Sequence, residues 1–254
     1  MNQAWRTLIP NLFTATSAVF GMTSMWLSVE GNFYWASWFI LWSALLDKAD
    51  GTAARLLKGS SKFGMEFDSM ADLIAFGLAP AMLIASAGSK LWFLGVGQWG
   101  SMLLLIACGF YALMAVVRLA RFNLIEPKPG ERNFIGLPST LAGVIVPAAF
   151  LLATKYQLPE TVLRFFPVLL LVLALGMVSN MPVPKIKPRA SKAFNVFQVV
   201  NAVVVYTCGV LMVGEEYFLL LVVSFILIGA SLELIRGHRM QRQAGEDASA
   251  EASG

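Results

Sequence analysis

Apolar residues run through this chain in long blocks separated by short polar breaks. The blocks fall at about residues 11–29, 33–57, 62–88, 99–117, 137–154, 162–178, 194–213 and 217–235. Each is near the roughly 17–25 residues that a helix needs to cross the hydrocarbon of a bilayer. The breaks carry turn and cap chemistry. Glu30-Gly31-Asn32 reads as a tight turn, and at Gly59-Ser60-Ser61 the glycine suits a C-terminal cap and either serine an N-cap. Ahead of the first block, residues 1–10 carry Trp5, Arg6 and Pro10 and read as a short amphipathic helix lying along the interface. After Arg236 the chain is polar to its end, the composition of a disordered tail. The pattern predicts an all-α, polytopic membrane helix bundle. One membrane domain spans residues 1–236, with about eight transmembrane helices after the interfacial helix, and residues 237–254 form the tail.

Composition agrees. Of 254 residues, 57% are hydrophobic and 13% charged, against about 25% charged in soluble domains. The net charge of +4 acquires a meaning once the basic residues are placed on eight spans with the N-terminus inside. Fifteen then fall in inside segments, three (Lys90, Lys155, Arg164) fall outside, and Lys48 lies within the second span. Basic residues concentrate on the cytoplasmic side of membrane proteins, so both termini face the cytoplasm, in a membrane of the bacterial inner (cell) membrane type. Their scatter between spans argues against a nucleic-acid partner. Cys108 and Cys208 lie in apolar runs and read as small buried hydrophobes. His238, the single histidine, falls in the polar tail and carries no catalytic expectation. The N-terminus lacks the small-residue cleavage site of a secretory signal. Gly95-x-Gly97-x-x-Gly100 matches a dinucleotide-binding pattern, but no strand precedes it and no βαβ unit surrounds it.

The anomaly in this apolar chain is the stretch from 47 to 72. It places Asp47, Asp50, Asp68 and Asp72 inside two predicted spans. Four unpaired charges at the bilayer centre would cost on the order of 10 kcal/mol, so something must offset them. With about 100° per residue, Asp50, Gly51 and Ala54 lie at roughly −60°, +40° and −20° from Asp47, on one face, with Arg55 at its edge. Gly51 and Ala54 leave room on that wall for a flat group or another backbone. Gly64, Asp68 and Asp72 follow at i, i+4 and i+8, again one face. Two antiparallel helices joined by a short turn can bring all four acids together. An all-oxygen donor set with no His or Cys suits Mg2+ or Mn2+, and two divalent ions would balance the four carboxylates. Such a pair could take a substrate diphosphate while a carboxylate positions or deprotonates an attacking hydroxyl. By themselves these positions are equally compatible with a cation-coupled transporter.

The spacing Asp47-x-x-Asp50-Gly51-x-x-Ala54-Arg55, eight residues, Gly64-x-x-x-Asp68-x-x-x-Asp72 resembles the signature of the CDP-alcohol phosphatidyltransferases at every fixed position. The resemblance implies an integral membrane enzyme that uses Mg2+ or Mn2+, with two ions expected. It would transfer a phosphatidyl group from a CDP-linked lipid to an alcohol and release CMP. It implies that Asp47, Asp50, Asp68 and Asp72 bind metal, that Asp72 is also the general base, and that Gly51, Ala54, Arg55 and Gly64 line the CDP-lipid site. It also implies a homodimer. Within the family, three segments are most similar to the integral-membrane phosphatidylserine synthases: Pro10-Asn11-Leu12-Phe13-Thr14, Arg118-Leu119-Ala120-Arg121-Phe122-Asn123 with Phe134-Ile135-Gly136-Leu137-Pro138, and Met177-Val178-Ser179-Asn180-Met181-Pro182. The implied substrates are CDP-diacylglycerol and L-serine. A serine carboxylate suits Arg118 and Arg121, and Asn123, Ser139 or Thr140 could complete that pocket. Choline, glycerol 3-phosphate, an inositol phosphate, or an archaeal-type lipid donor are alternatives with the same chemistry.

Overall fold

A computed structural model describes residues 3–59, 61–92, 97–124, 133–184, 192–229 and 231. The polar tail, 237–254, and the Gly95 end of the glycine-rich stretch lie outside them. The described chain is helical apart from one short ribbon. Its elements are α1 (Gln3–Glu30), α2 (Phe33–Leu57), α3 (Lys62–Leu91), α4 (Gly97–Leu124), β1 (Asn133–Ile135), α5 (Ser139–Lys155), α6 (Glu160–Val178, with a turn at Arg164 and Phe165), β2 (Pro182–Pro184), α7 (Lys192–Leu211) and α8 (residues 215–229).

Among the described residues each predicted span is largely helical, the end of the eighth (230 and 232–235) lying outside them, but a helix is not yet a span. Four helices, Trp5–Glu30, Lys62–Leu91, Gly100–Leu124 and Glu160–Val178, are long and apolar enough to cross a membrane, while Ser139–Lys155 and Asn195–Leu211 are shorter apolar helices. The chain is an integral membrane protein. Two details differ from the expectation of a purely α chain with a separate lead-in. Residues from Gln3 onward continue into α1 without a break, through Pro10. β1 and β2 pair antiparallel, Phe134 against Val183. Gly136 N–H donates to Met181 O at 2.9 Å and Leu137 N–H to Gly176 O at 2.9 Å. Gly136 sits at φ +81°, where a Cβ would strike the Met177 carbonyl.

α1 and α2 meet along a stripe of small and polar residues. On α1 these include Thr14, Ser17 and Ser24, spaced three and seven apart, and on α2 Ala36, Ser43 and Asp50, seven apart. Ser24 Oγ donates to Ala36 O at 2.7 Å, and Ser17 and Ser43 each donate to the other's carbonyl at 3.2 and 3.1 Å. Lipid tails are as apolar as Leu, so membrane helices associate through close packing of small residues and hydrogen bonds across the seam.

Beyond Asp72, α3 widens into a π-helical segment, Leu73–Leu78. Three neighbours grip it closely. A Cβ on Gly21 of α1 would lie 2.8 Å from the Ala75 Cα, one on Gly143 of α5 2.6 Å from the Phe76 Cβ, and one on Gly77 3.0 Å from the Ala115 Cβ of α4. Tyr111, fully buried on α4, donates its hydroxyl to Phe76 O at 2.9 Å. α7 docks on α2 through Trp42 Nε1–H to Gly209 O and Tyr206 O–H to Leu45 O, both 2.8 Å. At the other end of α2, where Phe33 meets Phe150, Lys155 bridges Glu215 (3.1 Å) and Glu216 (2.7 Å). Hydrogen bonds from Lys155 and Tyr156 pull the Glu216 carboxyl down to about 2.

Candidate active site

The turn between α2 and α3 decides where the acids sit. Lys58, at φ 50°, takes the left-handed cap of α2, a position expected for Gly59. Gly59 is needed for another reason: a Cβ there would collide with the Arg6 carbonyl of α1. That carbonyl lacks its ordinary helical donor because residue 10 is proline. Ser61 caps α3, its Oγ accepting from Gly64 N–H at 3.0 Å, and Ser60 lies outside the described residues. Thus α1 holds the turn from outside, and α2 and α3 leave it antiparallel.

The result gathers all four acids. One carboxylate oxygen each from Asp47, Asp50 and Asp68 lie within 4.8 Å of one another. Asp72 joins them as a neighbour of Asp47, and the Arg118 guanidinium interacts electrostatically with both. Thr14 Oγ1 donates to Asp50 Oδ2 at 2.8 Å. Asp50 is buried while Asp47, Asp68 and Asp72 are half-buried. Four carboxylates crowded at this depth repel one another, and Arg118 with Lys48 beside Asp47 cannot offset all four. The donor set is all carboxylate oxygen, with no Cys or His among the gathered ligands. That chemistry fits a hard divalent cation such as Mg2+ or Mn2+ and not zinc or copper.

The other predicted residues divide. Gly51 is exposed, and a Cβ there would meet nothing within 4 Å, so its wall is open. Ala54 is half-buried beside it, and Arg55 is exposed with its guanidinium on Thr52 Oγ1 at 3.4 Å. Gly64 faces α1, where a Cβ would lie 3.0 Å from Asn11 Oδ1. Arg118 donates to the fully buried Ser139 Oγ at 2.6 Å and lies over the Phe122 ring, and Thr140 follows half-buried. Arg121 instead binds Asn180 Oδ1 at 3.0 Å and Val178 O at 3.4 Å, bracing the end of α6. Asn123 donates to Glu66 Oε2 at 3.2 Å and accepts from Ser69 at 3.1 Å, stapling α4 to α3. Arg118, Ser139 and the acids are therefore brought together, while Arg121 and Asn123 are engaged elsewhere. Sequence reasoning missed Thr14 as a neighbour of the acids and Asn11 as a neighbour of Gly64. The signal was available, because Thr14 shares a helical face with Ser17 and Ser24 of α1.

A sequence profile of CDP-alcohol phosphatidyltransferases matches residues 7–184. The chain belongs to this family. Its catalogued relatives include a CDP-diacylglycerol–serine O-phosphatidyltransferase of Helicobacter pylori, 36% identical over 181 residues, which cover 71% of this chain and 73% of the relative. A protein of the same name from Bacillus subtilis is 32% identical over 190 residues, 72% of this chain and 94% of the relative. An archaetidylserine synthase of Methanothermobacter thermautotrophicus is 30% identical over 182 residues, 70% of each. In this phosphatidyltransferase the matched region ends at β2, so α7 and α8 stand outside it yet pack on the motif helix α2.

Proposed function

We propose that this phosphatidyltransferase moves the phosphatidyl group of CDP-diacylglycerol to the hydroxyl of L-serine, giving phosphatidylserine and CMP. The observation that carries the reading is the meeting of Asp47, Asp50, Asp68 and Asp72 at one end of α2 and α3, beside Arg118. The names of the serine-using relatives support the acceptor.

Asp47, Asp50, Asp68 and Asp72 would hold two divalent ions, Mg2+ or Mn2+. Bound there, these ions supply the positive charge that stabilises the developing charge on the phosphoryl oxygens and on the leaving phosphate. The open wall at Gly51 and Ala54 admits the nucleotide, Arg55 at its edge meets phosphate charge, and Gly64 keeps the α1 side clear. Arg118, held by Ser139, binds the serine carboxylate, with Thr140 beside it. Arg121 and Asn123 act by holding α4 against α6 and α3. Asp72 accepts the proton of the serine hydroxyl. The freed oxygen attacks the phosphorus bearing the diacylglycerol, the P–O bond to the CMP phosphate breaks, and its electron pair leaves with CMP.

The same reading places eight spans in a bacterial inner membrane, with the start of α1 along the interface and both termini and the acids facing the cytoplasm. It takes residues 1–236 as one membrane domain, 237–254 as a disordered tail, and the molecule as a homodimer. A cation-coupled transporter is disfavoured because α2 packs its other half with Trp38, Ile40 and Leu41, all fully buried.

An acceptor panel tests the proposal. Purified protein in detergent, given CDP-diacylglycerol, Mg2+ or Mn2+ and one acceptor at a time, should release CMP with L-serine and not with choline, glycerol 3-phosphate or inositol phosphate. No CMP with any acceptor sinks the enzyme reading, and release with another acceptor but not serine sinks the serine assignment. An archaeal ether-linked donor run in parallel decides the lipid class, a question raised by the archaetidylserine synthase relative.

A further inference from the structure

The seam between α1 and α2 ends at a contact unlike its other rungs. Ser24 and the Ser17–Ser43 pair bond to backbone carbonyls and serve packing. Thr14 instead reaches a carboxylate, Asp50 Oδ2, at 2.8 Å. The hydroxyl has one proton and two acceptors in range, the second being Pro10 O at 3.1 Å. An ionised acceptor makes the stronger and shorter bond. Thr14 is 3% exposed and Asp50 6%, so solvent has little access to replace it. An ionised carboxylate offers about four lone-pair sites, and this bond uses one, leaving Asp50 free to ligate.

We propose that Thr14 is a positioning residue for the metal site: its hydroxyl holds the Asp50 carboxylate toward Asp47 and Asp68, so that cation affinity depends on α1. This rests on the reading of those acids as metal ligands. Outer partners of ligating carboxylates typically contribute about 10–100-fold in metal affinity or activity. The lever is specific. Thr14→Val keeps the shape and removes the donor, whereas Thr14→Ser keeps the donor.

The test measures Mn2+ binding directly, from the loss of the free-ion electron paramagnetic resonance signal, on purified full-length protein in detergent. CMP release against Mn2+ concentration and the thermal midpoint are followed in parallel. Thr14→Val should weaken Mn2+ binding by at least about tenfold and shift half-activation by the same factor, with turnover recovering at saturating Mn2+. Thr14→Ser should bind as the unmodified protein does. Asp50→Asn separates the two layers of the argument. If Asp50→Asn weakens Mn2+ binding but Thr14→Val does not, the role of Thr14 is overturned. If neither changes Mn2+ binding, the metal reading fails and this inference falls with it. Should Thr14→Val not fold, Thr14→Ala takes its place, and unchanged Mn2+ affinity in that variant counts against the proposal.

Discussion

Asp72 and Gly51 show how much a single position can carry here. Asp72 interacts electrostatically with both Arg118 and the Asp47 carboxyl. A carboxylate so placed can take a proton from a hydroxyl delivered beside Arg118. Asp72→Asn removes the base while keeping the shape, and general-base loss costs about 10²–10⁴-fold. CMP release should fall by that factor, while CDP-diacylglycerol binding, followed by titration calorimetry, stays largely intact. Full activity in the variant would remove Asp72 from the base role. Arg118 and Arg121 make the opposite point. Three residues apart on one helix, they look equivalent in sequence, yet one bonds Ser139 beside the acids and the other braces Asn180 and Val178.

At the scale of elements, the π-helical segment after Asp72 is the least expected feature. A π-turn leaves backbone groups out of the regular ladder, and such segments are frequent at functional sites. Here Tyr111 satisfies the Phe76 carbonyl, and glycines on two neighbouring helices let α1 and α5 approach it. Gly21→Val would push a Cβ toward the Ala75 backbone, which cannot rotate away as a side chain can. Overpacking of this kind costs about 1–3 kcal/mol, so the thermal midpoint in detergent should drop and activity with it. Gly51→Ala is the contrast. Its Cβ meets open space and alanine favours helix by about 1 kcal/mol, so stability should hold or rise while the KM for CDP-diacylglycerol increases. Equal destabilisation by both would mean that Gly51 serves packing and not the open wall.

On the scale of the whole molecule, the chain separates chemistry from fastening. Acids, Arg118 and the Gly59 turn occupy one end of α2, and the Lys155–Glu215–Glu216 clamp occupies the other. The proposed topology turns the acidic end inward. Cysteines at Glu30, in the turn before α2, and at Lys58, just after it, both exposed, test this with a membrane-impermeant thiol reagent. Glu30→Cys should react in intact spheroplasts and Lys58→Cys only in inverted vesicles. The reverse pattern would invert the topology, and reaction of both from one side would mean that α2 does not span.

The sequence alone determined the helical segments, because twenty apolar residues in a row have few other ways to satisfy their backbone in lipid. It determined the acidic motif as well, since helical periodicity converts spacing into faces. It left α1 divided at Pro10, whereas the helix runs through the proline, with Gly59 packed against the Arg6 carbonyl that loses its helical donor. It could not assign partners to Arg121, Asn123 or Thr14. Those depend on which helix lies opposite, and a residue's own periodicity names its face but never the face it meets. Only the tertiary structure decided that α1 supplies the hydroxyl on Asp50, that Asp72 meets Asp47, and that Arg118 alone of the two arginines turns toward the acids.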